Sequence, residues 1–186
     1  MQAIEIIAQG IGILAMAFNI LSYQQKTKRG VLLFQLCGAS LFAVNFLLIG
    51  SYVGAALNVI AALRAVVYFY HRRFRAEHVG WLLLFPLLCV LMYVLNFTVL
   101  GGVCDAHHLV IELLPVIGMT ASTIGYRLSG AKAVRLLGLV SSPAWLVYNI
   151  SVFSVGAIFC ESFSLVSILI GILRYDVKPT RRPRGE

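Results

Sequence analysis

Arg64, Glu112 and Glu161 each interrupt a long apolar run. A charged side chain at membrane depth is costly, so each is a functional candidate by default. Arg64 precedes the basic boundary at His71 by seven residues, about 10 Å along a helix. It either snorkels to the headgroups or faces a central cavity, where it pairs with an acid or binds an anionic group of a solute. Glu161 leads Ser162, Ser164 and Ser167 and belongs on the bundle interior, as a fixed structural partner or as a proton carrier. Glu112 precedes Pro115, whose missing N–H frees a carbonyl near Ile111. A carboxylate beside an interrupted helix suits ion or proton coupling, or simply a site near the interface. Asn45, Asn58 and Asn149 carry amides that both donate and accept, which fits a sugar hydroxyl or an amide as well as a helix–helix bond. Trp145 and Tyr148 place an aromatic face beside Asn149, suited to a sugar or nucleoside or to an interfacial belt. The candidate substrate-binding set is therefore Asn45, Asn58, Arg64, Trp145, Asn149 and Glu161. Glu112 and Glu161 are the candidates for proton or ion coupling.

Other chemistries find little footing. Cys37, Cys89, Cys104 and Cys160 form no CxxC pair, and three of them sit in apolar runs as small hydrophobes. Asp105, His107 and His108 follow Cys104 and are metal-ligand types, but their spacing matches no metal pattern, so a solvated loop without metal is expected. HExxH and GxSxG are absent, and no paired aspartates fall on neighbouring helices. The expectation is a non-enzyme without a cofactor.

The elements that position these residues follow from composition. Of 186 residues, 60% are hydrophobic and 12% charged, against about 25% charged in soluble domains. Bilayer is the natural solvent for such a chain. A spanning helix needs about 20 mostly apolar residues. Seven stretches qualify: Ile4–Ser22, Val31–Ile49, Tyr52–Tyr70, Val79–Leu100, His108–Tyr126, Ala133–Phe153 and Ser154–Leu173. Gly50 and Gly54 break the second from the third; Ser151, Ser154 and Gly156 are the weak points between the sixth and seventh.

Positive charge sets the orientation. Lys26, Lys28 and Arg29; Arg72, Arg73 and Arg75; Arg127, Lys132 and Arg135; and Arg174, Lys178, Arg181, Arg182 and Arg184 all fall on one side of seven spans. Arg64 is the exception among the 15 basic residues. The positive-inside rule predicts an outer N-terminus and a cytoplasmic C-terminus. The net charge of +8 is scattered over loops and forms no nucleic-acid face. The tail 176–186 is basic with two prolines and is read as disordered against anionic lipid headgroups.

The two ends of the chain repeat each other. Ile11-Gly12, Tyr23, Lys28, Asn45 and Val53-Gly54-Ala55 are matched by Ile117-Gly118, Tyr126, Lys132, Asn149 and Val155-Gly156-Ala157, at offsets of 102 to 106 residues. The expected fold is all-α and membrane-integral: seven transmembrane helices, with two three-helix bundles in parallel repeat joined by a linker helix. The bundles cover 1–75 and 105–175, and the linker 76–104. Such symmetry is found in transporters whose sites lie between repeats.

Ala8-Gln9-Gly10-Ile11-Gly12, the run Glu112-Leu113-Leu114-Pro115-Val116-Ile117-Gly118, and Gly156 with Glu161-Ser162-Phe163 resemble the bacterial YgjV-type inner membrane proteins along almost the whole chain. That resemblance implies a multi-pass protein of the bacterial inner membrane. The layout is in turn similar to SWEET, PQ-loop and MtN3-type transporters, though the paired Pro-Gln signature is missing. By that likeness the chain is a transporter or facilitator for a small polar solute, with a non-transporting binder of lipid or protein as the alternative. Membrane lipids are expected partners, and the sequence leaves room for a homo-oligomer.

Overall fold

The computed structural model describes residues 3–22, 25, 27–128 and 131–173. The helices are α1 (Ala3–Ser22), α2 (Lys28–Leu48), α3 (Tyr52–Phe69), α4 (His71–Phe74), α5 (Val79–Thr98), α6 (Ala106–Arg127), α7 (Ala131–Ser151) and α8 (Val155–Ile172). All but the single turn α4 are long and apolar enough to cross a membrane, so the seven spans stand. Among the described residues there is no strand. The tail 176–186 and its lipid contact lie outside the described residues.

The helix ends differ from expectation where caps decide them. The second span begins at Lys28 because the Thr27 hydroxyl accepts the Gly30 N–H at 3.1 Å. After α3 the chain makes the short α4 and turns at Arg75, which is left-handed at φ 46°. The Trp81 indole then donates to the Phe74 carbonyl at 2.9 Å and pins that corner. α6 begins at its Asp105 cap, where the carboxylate accepts the His108 N–H.

Each spanning helix packs on its neighbour in the chain, and α1 closes the ring against α8. α3 also touches α6 behind α5. Small residues permit the closest approaches, as membrane helices require in the absence of a hydrophobic drive between them. A Cβ on Gly156 of α8 would lie 2.2 Å from the Gly12 backbone of α1. A Cβ on Gly118 would lie 2.6 Å from the Trp145 ring. The centre is aromatic: Phe42, Phe46, Trp145 and Tyr148 pack in series with ring centroids 5.9 to 6.5 Å apart.

The two tight turns share one hydrogen-bond pattern. Ile49, Gly50 and Ser51 donate to the carbonyls of Asn45, Leu47 and Phe46. Val152, Phe153 and Ser154 donate to those of Tyr148, Ile150 and Asn149. Every partner in the second set stands 103 residues after its counterpart in the first. The left-handed residue is Gly50 (φ 79°) in one turn and Phe153 (φ 55°) in the other. This corrects the register read from residue identity. The turn-equivalent of Asn45 is Tyr148, not Asn149, and Val53 corresponds to Gly156.

Candidate functional site

The two turns are tied together by side chains that cross between them. The Asn45 amide, fully buried on α2, donates to the Ala8 carbonyl of α1 at 2.7 Å. Its oxygen accepts the Ser154 hydroxyl, at the start of α8, at 2.7 Å. The turn-equivalent Tyr148 on α7 hydrogen-bonds the Ser51 hydroxyl and accepts the Gly54 N–H at 2.9 Å, at the start of α3. Gly54 has no Cβ because one would sit 2.9 Å from that phenol oxygen. Tyr148 thus satisfies a first-turn N–H of α3, where helix N–H groups lack intrahelical partners, while Asn45 bonds the side chain of the residue that opens α8. Gln9 reinforces the first crossing: its amide donates to the Phe153 carbonyl at 2.8 Å and its oxygen accepts the Val155 N–H at 3.0 Å.

Glu112 on α6 joins this junction from the side. Its carboxyl lies near the Tyr148 hydroxyl. Its Oε2 is buried and has no partner among the described residues, as is the Asn149 Oδ1. Buried polar atoms are normally bonded, so each calls for a water, a proton or a ligand. Glu112 borders a recess of 210 Å³ that Asn96 and His108 also line. His108, with Asp105 and His107, offers ligand-type atoms within 4.8 Å of one another, all exposed. Both Asp105 oxygens lie 2.9 Å from the His108 Nδ1. The His108 backbone N–H, and then its ring, hold the Asp105 carboxyl below the usual carboxylate range. The cap is at full strength above about pH 4 and fades as pH falls through that lowered value.

The remaining candidates are placed apart. Arg64 does not snorkel: it is 8% exposed, and its guanidinium donates to Thr123 Oγ1 at 2.6 Å, Ser122 Oγ at 3.0 Å and the Met119 carbonyl at 3.4 Å, all on α6. Glu161 on α8 lies near Ser142 of α7. The Asn58 amide turns back to the Gly54 carbonyl of its own helix. Trp145 stacks within the aromatic centre beside Tyr148. Asn45, Trp145, Asn149 and Glu112 gather around Tyr148 and the turns, whereas Arg64 lies toward the opposite face and Glu161 reaches to Ser142. Sequence reasoning placed none of Ser51, Ser154, Gln9 and Asn96 in a site. A serine directly after each tight break was the available signal for the first two.

A family profile described as Imp-YgjV, bacterial inner membrane protein, matches residues 6–178. The chain is similar to "Inner membrane protein YgjV" of Escherichia coli (strain K12), at 25% identity over 169 residues, which is 91% of this chain and 84% of that protein. No solved structure matches.

Proposed function

We propose that this chain, which belongs to the Imp-YgjV family of bacterial inner membrane proteins, passes a small polar solute between two helical halves, α1–α3 and α6–α8, with α5 as their linker. The crossed pair carries this reading. Asn45 bonds Ser154, and its turn-equivalent Tyr148 bonds Ser51, the turn-equivalent of Ser154. The helix contacts follow the same exchange: α1 meets α8 as α6 meets α3. Two halves related in this way, with polar groups buried at their seam, are the arrangement on which alternating access operates.

With the basic loops in the cytoplasm, both turns and the α5–α6 loop face outward. The crossed bonds then latch the outer end of the seam, and Arg64 bridges α3 to α6 in its inner half. Passage of a solute requires the latch and the Arg64 bridge to open in turn. Glu112, within reach of Tyr148, is the group through which a proton or cation would bias the latch.

The test is a thermal-shift screen of purified protein with sugars, nucleosides, amino acids, amines and organic acids, followed by counterflow of any hit in proteoliposomes. A solute at 100 times its Kd adds about 2.7 kcal/mol of stability. Counterflow of a stabilising solute is the expected result. Stabilisation by phospholipid alone, with no solute flux, overturns the proposal in favour of a lipid-binding protein.

A further inference from the structure

The recess beside Glu112 has the chemistry of a cation site. Glu112 Oε2 is buried and unbonded. Asn96, only 7% exposed, lines the same space. Gly102 keeps the side-chain amide clear, since a Cβ there would lie 2.6 Å from the Asn96 Nδ2. His108 has its Nδ1 committed to the Asp105 carboxylate, so in the neutral ring Nε2 is an acceptor. Tyr52 and Phe97 supply aromatic surface to the wall. The site therefore offers a carboxylate, an amide oxygen, an imidazole acceptor and aromatic faces.

Among the described residues no lysine or arginine pairs with that carboxylate. The loop basic residues belong to the opposite face of the spans, and Arg64 is five residues from the far end of α3, bonded to Met119, Ser122 and Thr123. A carboxylate taken partly out of water is stabilised when paired with a cation or protonated, and an ammonium group carries the donors to pair it. The volume of 210 Å³ lies below the roughly 300–1,000 Å³ of sites for drug-sized ligands, so the occupant is small.

We propose that this recess binds a small primary ammonium compound, with the charged nitrogen donating to the Glu112 carboxylate and the Asn96 amide oxygen and the hydrocarbon part against Phe97 and Tyr52. The inference goes beyond the transport reading, because binding here is an equilibrium property that needs no flux. Aromatic faces favour an organic cation over a bare metal ion.

The test is isothermal titration calorimetry of the full chain in detergent with ethylammonium chloride, against sodium chloride at matched ionic strength. Saturable binding is expected, weakened about tenfold or more by Glu112→Gln, which keeps a hydrogen-bonding group toward Tyr148. Asn96→Asp adds a second carboxylate and tightens binding severalfold, a gain that a misfolded protein does not give. Absence of saturable heat, equal affinity in Glu112→Gln, or displacement by potassium chloride as effective as by methylammonium chloride each overturns the proposal, the last in favour of an inorganic cation site. Flux measured separately in proteoliposomes tells failure of this site from failure of transport.

Discussion

At the α2–α3 turn the left-handed residue is Gly50, the crossing side chain is Asn45, and position 53 is a buried valine. At the α7–α8 turn, 103 residues later, the same places hold Phe153, Tyr148 and Gly156. The backbone hydrogen bonds are identical while all three residue types change. The exchange has a mechanical consequence. Gly156 lets α8 come into backbone contact with α1 near Gly12, whereas the equivalent place on α3 holds the buried side chain of Val53. The α1–α8 contact is the more extensive of the two, and the α3–α6 contact is bridged by the long side chain of Arg64. The α1–α8 seam thus closes backbone against backbone, and the α3–α6 seam is bridged by side chains.

The strongest way to break this contrast is to add one methyl at Gly156. Gly156→Ala pushes α8 from α1 and is expected to cost about 3 kcal/mol, the upper end of over-packing penalties. Val53→Ala removes two carbons from a fully buried site and is expected to cost about 1–2 kcal/mol. Reversible denaturation of the purified protein in mixed micelles measures both. If the methyl addition at Gly156 costs less than the deletion at Val53, α1 and α8 are not a tight joint.

The crossing side chains give the next largest effects. Tyr148→Phe keeps the aromatic packing but strips a partner from Ser51 and from the Gly54 N–H; Asn45→Leu strips one from Ser154. Hydrogen bonds between membrane helices contribute about 0.6 kcal/mol on average and up to about 1.7, so each change is expected to cost about 1–2 kcal/mol. A double-mutant cycle sharpens the comparison. Tyr148→Phe with Ser51→Ala should couple by about 1 kcal/mol, whereas Tyr148→Phe with Ser154→Ala should be additive within about 0.5 kcal/mol. Strong coupling in the second cycle would show a single shared network in place of two latches.

The seven spans were legible because length and hydropathy alone select a spanning helix, and the α2–α3 break because Gly50 announces it. The α7–α8 break was visible as serines, but its pivot is Phe153, an aromatic residue that no turn preference points to. The likeness of the two turns was visible in Gly and Asn identities, yet the register read from them was off by one in each direction, at Asn149 and at Val155-Gly156-Ala157. Helical side chains change direction by about 100° per residue, so one step decides which helix a side chain meets, and only the turn hydrogen bonds fix that step. The same limit applied to the site. Arg64 could be flagged by its charge but not aimed, since snorkelling and a bridge to α6 fit the same spacing. Asn96 carried no signal at all, because it becomes distinctive only beside Gly102 and Glu112.

The smallest effects concern the pivots. A non-glycine residue in the left-handed region costs about 1–2 kcal/mol, and Phe153 carries that cost with a ring that is 70% exposed and packs on little. Phe153→Gly removes the strain but gives the unfolded chain more freedom, worth about 0.5–1 kcal/mol against folding. A net gain of roughly 0.5 kcal/mol is expected. Gly50→Ala runs the other way: a Cβ there meets open space, so its cost is purely conformational, and a loss of about 1 kcal/mol is expected. The Phe153 carbonyl that accepts Gln9 is backbone and survives the change, so the first latch stays intact. Opposite signs at Gly50 and Phe153, read from the denaturation midpoints, would establish that the two turns share a backbone conformation and differ only in side chain. A loss at Phe153→Gly would mean instead that its exposed ring is held by lipid or by a second copy of the chain, and the equivalence of the two turns would then end at their hydrogen bonds.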